Sequence, residues 1–195
     1  MKKSIWIVIG VVVLLIVVAY FSCVDKYNNM VTRQESVTAA WSQVENQYQR
    51  RSDLIPNLVN TVKGYAEHEK STLDAVVSAR AEATSTKVYL NDPKSLEGYT
   101  KAQDQLSGAL SRLMAISENY PDLKANQNFA QLQAQLEGTE NRISTERRRF
   151  NEEAQNYNMY IRKFPNNIIA SMFDFEKAAY FASKEGSENA PEVKF

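Results

Sequence analysis

The sequence predicts an all-α chain: an N-terminal transmembrane helix followed by an antiparallel up-and-down four-helix bundle. Three observations predict it. Ile5 to Val24 contains no charged residue, and twenty helical residues span about 30 Å, roughly a hydrocarbon core. From Tyr27 onward, apolar residues recur at alternating steps of three and four, which places them on one helix face. Strand-like alternation is confined to the N-terminus, and six Gly and five Pro in 195 residues are too few for a turn-rich β fold. The expected organisation is an anchor over 1–24, a helical bundle over 25–165, a short amphipathic aromatic-rich helix over 166–182 and a disordered polar tail over 183–195.

The apolar run is read as a retained anchor. A cleaved signal would need a shorter apolar region and small residues flanking the cut, but Tyr20 and Phe21 stand there. The same pair spoils the pattern that lipidation of Cys23 would need, and one cysteine cannot form an internal disulfide. Lys2 and Lys3 precede the run, whereas Lys26 and Arg33 after it are tempered by Asp25 and Glu35. That bias favours a cytoplasmic N-terminus with the body on the other side.

The first soluble helix is expected over 27–52, with Tyr27, Met30, Val37, Trp41, Val44 and Tyr48 on its stripe. Arg50 and Arg51 suit its C-terminal end, where cations complement the dipole. Arg51 also falls on the stripe. A side chain snorkelling at the bundle tip is the expected reading, with a pair to Asp53 or Glu118 as the alternative. Asp53 can cap a second helix over 54–86, with Pro56 in its first turn, where a missing N–H is harmless. The stripe nevertheless holds its phase through Ile55, Leu58, Val62 and Tyr65. The alternative is therefore one rod kinked at Pro56, with later helices folded back on it. Gly64 falls mid-helix in either case, where close helix approach would explain it.

Asn91-Asp-Pro93 restarts the chain, with Asp92 as cap and Pro93 as first residue of a third helix over 93–119. Pro121 stops it, and a fourth helix over 127–164 carries Phe129, Leu136, Ile143, Phe150, Tyr157, Ile161 and Phe164 on its stripe. Trp41, Leu58, Val62, Leu110 and Ile143 are the expected core. Glu69 and Glu146 interrupt the apolar pattern; they either fix register or mark where the bundle opens to water. After Pro165 a cluster of large apolar residues is the candidate membrane or partner contact: Ile168, Ile169, Met172, Phe173, Phe175, Tyr180 and Phe181. An up-down-up-down order delivers this cluster to the membrane-proximal end, where it either folds across the open base of the bundle and seals its core or lies on the lipid or on a neighbouring protomer.

Charge narrows the function classes. The chain carries 23 basic and 23 acidic residues, and without the first 24 residues the balance is 21 against 23. No nucleic-acid partner is expected from that balance. Arg147, Arg148 and Arg149 are flanked by Glu146, Glu152 and Glu153, which reads as a solvated, mutually paired face. His68 is the only histidine and lies in no HExxH motif, so no metal site is assigned. No phosphate loop, nucleotide fingerprint or nucleophile elbow occurs; no catalytic residue and no cofactor is assigned.

Four stretches carry a family resemblance: Trp41-Ser-Gln-Val-Glu, Gln47-Tyr-Gln-Arg-Arg, Asp53-Leu-Ile-Pro-Asn-Leu-Val and Thr61-Val-Lys-Gly-Tyr-Ala-Glu-His-Glu. They closely resemble the LemA family, and the apolar N-terminus and Pro165-Asn166 extend the likeness along the chain. The resemblance implies a small, membrane-anchored helical protein of bacteria and brings no catalytic residues with it. The expected function is a non-enzymatic, single-pass scaffold or adaptor of the bacterial envelope. It would act by self-association and by docking other envelope proteins, with its body outside the cytoplasm. The alternatives are a regulatory subunit of a membrane enzyme such as a protease, which rests on family association, and a small-molecule sensor using Glu69 and Glu146.

Overall fold

The computed structural model describes residues 2–182 and, among them, contains helices and no strands. Six helices occur: α1 (Lys2–Lys63), α2 (Lys70–Ser85), α3 (Pro93–Ser117), α4 (Pro121–Lys124), α5 (Gln127–Arg162) and α6 (Asn166–Met172). The tail expected over 183–195 lies outside the described residues. The five residues named as core, Trp41, Leu58, Val62, Leu110 and Ile143, are all buried.

The expected break after residue 52 does not occur. α1 runs 62 residues without interruption, through Pro56, and is about 93 Å long. Asp53 caps nothing; it is exposed in mid-helix and accepts a 2.7 Å hydrogen bond from Gln49 Nε2. The reason α1 survives Pro56 is local. Proline lacks the N–H that would bond the carbonyl four residues earlier, here that of Ser52. Arg80 of α2 supplies the missing donor, its Nε reaching the Ser52 carbonyl at 2.9 Å. Pro56 itself faces solvent.

The kinked-rod alternative is also corrected, because α1 ends at Lys63 and the chain then turns back. The Val62 carbonyl accepts from the amides of Tyr65 and Ala66 at 3.0 and 2.8 Å, and the Glu69 amide closes on the Ala66 carbonyl at 3.1 Å. Gly64, expected mid-helix, is the first residue past the helix end. A Cβ there would meet only the carbonyls of Thr61 and Asn60 within 4 Å, so no approaching helix explains it; its poor helix propensity suits the turn.

The restart is as the sequence has it. Asp92 accepts from the Lys94 amide at 3.0 Å with Pro93 in the first turn, and Asn126 caps α5 by accepting from Phe129 at 3.0 Å. Contacts between elements define their directions. Arg33 lies over Tyr160, Trp41 packs on Phe150 and Arg51 pairs with Glu140, so α5 runs antiparallel to α1 along the most extensive contact in the molecule. The Arg80–Ser52 bond folds α2 back on α1, and Gln103 Nε2 donates to the Ala83 carbonyl between α3 and α2.

The helix expected over 166–182 is helical only over Asn166–Met172. The Phe175 amide bonds the Ala170 carbonyl at 2.9 Å while Asp174 adopts φ 57°, the six-to-one closure that ends many helices. From there to residue 182 the chain is non-helical and lies against the molecule.

Two apolar clusters result. One gathers Met30, Val37, Trp41, Val44, Tyr48, Tyr99, Phe150, Tyr157 and Phe181 in the half nearer the N-terminal run. The other gathers Ile55, Leu58, Val62, Val76, Leu106, Leu113, Phe129 and Leu136 in the far half. Because α2 stops at Ser85 and α3 starts at Pro93, the near half has α1 and α5 as its long walls and only the first turns of α3, with Leu96 and Tyr99, beside them.

If Arg80 completes α1 at Pro56, Arg80→Met should lower stability by about 1–3 kcal/mol, the cost of an unmet buried carbonyl. Pro56→Ala should shrink that loss, because the new amide reaches the same carbonyl. Denaturant unfolding of the two single variants and the double variant, followed by circular dichroism, measures the coupling; an Arg80→Met loss unchanged by Pro56→Ala would disprove it.

Candidate functional site

The sequence picked out seven residues after Pro165, and the structure divides them. α6 packs against both α1 and α5. Phe173 and Phe175 meet the Tyr27 ring edge-on, with centroids 5.0 and 5.5 Å apart. Tyr27 stands only three residues past Val24, the end of the uncharged run. Ile168 and Met172 are 54% and 67% exposed, and Phe173 is about half exposed. Ile169 and Phe175 instead pack against the near cluster. Tyr180 is half exposed beyond α6, and Phe181 is buried between Trp41 and Phe150.

One member of the apolar surface was missed. Phe164, placed on the buried stripe from sequence, lies beyond the end of α5 and is 82% exposed. The four-residue spacing of Phe164, Ile168 and Met172 was the available signal, obscured because Pro165 breaks the helix between them. Phe164, Ile168, Met172 and Phe173 are thus large apolar residues left exposed at this end of the molecule, and exposed apolar residues grouped in a patch mark candidate contacts.

A second arrangement lies midway along the molecule. Arg51, expected to snorkel at a tip, is 2% exposed and pairs with neither Asp53 nor Glu118. Its Nη1 donates to Ser107 Oγ and Glu140 Oε2, both at 2.8 Å. Its Nη2 donates to the Gln103 Oε1 at 2.6 Å and the Gln103 carbonyl at 3.3 Å. Gln103 passes the connection on to α2 through Ala83. Four helices thus meet in one polar layer. Arg51 Nε and Ser52 Oγ, both buried, have no hydrogen-bond partner among the described residues, and a cavity of about 130 Å³ lined by Tyr48, Ser52, Tyr99 and Gln103 opens alongside. Burial pushes the phenols of Tyr48 and Tyr99 above the usual tyrosine range, and for Tyr99 the neighbouring Tyr48 adds to it.

The remaining candidates are separated. Glu69 precedes α2 and accepts from the Tyr120 hydroxyl at 3.2 Å, whereas Glu146 pairs with Arg149 at 2.9 Å on α5. They share no site. Arg147 lies over the Phe181 ring at 4.3 Å, so the three arginines do not act as one patch. His68 is exposed in the turn between α1 and α2. Among the described residues no group of three or more His, Cys, Asp or Glu is placed to hold a metal.

A helical body continuous with an apolar helix long enough to cross a membrane defines a class of small helical protein with a membrane location. Sequence comparison then gives the family: the profile of the LemA family matches residues 40–195, and the chain belongs to that family. It is similar to magnetosome protein MamQ 2 of Paramagnetospirillum magneticum, 29% identical over 91% of this chain and 73% of the relative. Magnetosome protein MamQ of Magnetospirillum gryphiswaldense is 27% identical over 96% of this chain and 76% of its own. Protein LemA of Metamycoplasma hominis is 27% identical over 89% and 76%.

Removing the Arg51 guanidinium leaves the buried acceptors of Gln103 unmet. Arg51→Ala should cost about 3 kcal/mol or more, and Arg51→Lys should recover little, because a compact ammonium cannot reproduce the fork. Glu140→Gln should cost under about 1 kcal/mol, since that carboxylate is more than half exposed. Denaturant midpoints order the three; an Arg51→Lys protein as stable as the parent would refute the role given to the two guanidinium nitrogens.

Tyr48 and Tyr99 also set an alkaline limit. Their folded-state values are raised above the ordinary 10.0, so their contribution is fully present below that pH. It is lost above it, where the unfolded chain ionises first. Stability should fall as pH rises beyond about 10, and Tyr48→Phe with Tyr99→Phe should flatten that fall. Thermal unfolding across alkaline pH makes the measurement.

Proposed function

We propose that this protein is a non-enzymatic, single-pass scaffold of the bacterial envelope, anchored by the start of α1 and acting through self-association and docking. The body is read as an up-and-down four-helix bundle of α1, α2, α3 and α5, with its first turn at 64–69. The antiparallel pairs Trp41–Phe150, Arg51–Glu140 and Arg80–Ser52 support that reading. The single observation that carries the function is the surface of Phe164, Ile168, Met172 and Phe173, held by Tyr27 beside the end of the uncharged run. Such a surface suits the lipid interface or a neighbouring protomer in the same plane. Lys2 and Lys3 favour a cytoplasmic N-terminus, which puts the body outside the cytoplasm. Relatives named for a magnetosome rather than for a reaction fit a structural role.

The test uses the full chain with Cys23→Ser, reconstituted in vesicles and labelled with a depth-sensitive fluorophore. A label on Met172→Cys should be quenched by lipid-borne quenchers. One on His68→Cys, roughly 50 Å up the helix by the ~1.5 Å rise per residue, should not. Equal lack of quenching at both positions removes the interfacial part. The size of the detergent-extracted protein tests self-association, and a monomer at every concentration removes that part.

A further inference from the structure

Residues 176–182 sit on the molecule as a bound peptide would. Asn158 grips both polar groups of one residue: its Oδ1 accepts from the Ala178 amide at 2.9 Å and its Nδ2 donates to the Ala178 carbonyl at 2.8 Å. Asn151 does the same to Phe181, at 2.9 and 3.0 Å. The Ala179 amide reaches the Leu90 carbonyl at 2.7 Å, and the Tyr157 hydroxyl donates to the Glu176 carbonyl at 2.9 Å. The two clasps match an extended chain in length. Asn151 and Asn158 are seven residues apart on α5, about 10.5 Å, and the residues they hold are three apart, about 10 Å when extended.

Side chains add sequence selectivity to this grip on the main chain. Ala178 and Ala179 are both buried in the groove. Phe181 stacks on Trp41 with centroids 5.9 Å apart, meets Phe150 at 5.5 Å and lies under Arg147. The groove therefore reads an extended segment with two adjacent small residues and an aromatic anchor two positions on. It exists because α2 and α3 leave the near half of the core without further long helices, so some segment must cover it.

We propose that this groove also takes the 176–181 segment of a neighbouring copy, so that two protomers strap one another reciprocally. This rests on the self-association reading above. The occupant follows from complementarity, since every copy carries both the clasps and a segment that fits them. Copies anchored in one membrane share orientation and height, which raises the local concentration of a neighbour's segment at the groove. Exchange of an identical element needs no new contact.

The experiment pairs Leu90→Cys on one full-length copy with Ala179→Cys on a second, differently tagged copy, both carrying Cys23→Ser and co-expressed in the membrane. Under mild oxidation a disulfide joining the two tags, at twice the single-chain mass, is expected. Asn91→Cys with Glu176→Cys, whose side chains touch at 2.6 Å, repeats the test at another contact, should either first variant fold poorly. Both cysteines on one chain give the control. Cross-linking only within the doubly substituted chain overturns the exchange, and the size of the detergent-extracted parent then decides self-association by itself. A Leu90→Cys copy linked to a different protein assigns the groove to a foreign partner and also overturns it. Absence of any link at both pairs shows that the segment does not occupy the groove.

Discussion

The hydrogen-bonded layer around Arg51 is the constraint on which the helix arrangement depends. Apolar contacts on either side of it are non-directional, so the clusters above and below tolerate sliding of one helix along another. The guanidinium does not. It holds α3 through Gln103 and Ser107, and α5 through Glu140, while Gln103 reaches α2. Moving α5 by one turn would bring Leu136 or Ile143 toward a buried cation. A buried ion pair is weak support for stability, and Glu140 is more than half exposed. The value of this layer lies in fixing register, as single polar seam residues do in coiled coils.

The two halves beyond that layer are built differently. The far half is closed by α1, α2, α3 and α5. The near half has two long helices, and its third wall is α6 with the segment after it. This division explains why the aromatic residues near the C-terminus have two fates. Those that complete the wall, such as Phe181 and Phe175, are structural. Those that point away, such as Met172 and Ile168, remain as surface.

Much of the fold was legible in the stripe of apolar residues, because burial of Trp41, Leu58, Val62 and Ile143 follows directly from their spacing. Boundaries were legible where a cap and a proline coincide, as at Asp92 and Pro93. Pro56 misled because its effect depends on a residue in another helix. The local sequence contains Asp53 as a plausible cap, whereas the donor that keeps the helix intact is Arg80. Arg51 misled for the same reason: its partners lie 52 or more positions away. Of the candidate surface, Ile168, Met172 and Phe173 were legible as a hydrophobic cluster. Phe164 was not, since the end of α5 turns it away from the stripe. The segment after Asp174 read as helix from its apolar content, but its bonds to Asn151 and Asn158 favour an extended chain.

Continuity of α1 has a mechanical consequence. A single helix leaves the apolar run and forms the body's longest wall, with no hinge residue between them. The body therefore acts as a lever fixed to its anchor. A tilt of the anchor by 10° would swing the turn at 64–69, some 55 Å from Tyr27, sideways by roughly 10 Å, given the ~1.5 Å rise per residue. Tilting is one way a spanning helix accommodates a mismatch with its bilayer, so with the apolar run in a bilayer any such tilt would reach the tip as displacement. The turn at 64–69 is thus held at a fixed reach from the apolar run, at an angle set by the run's own tilt.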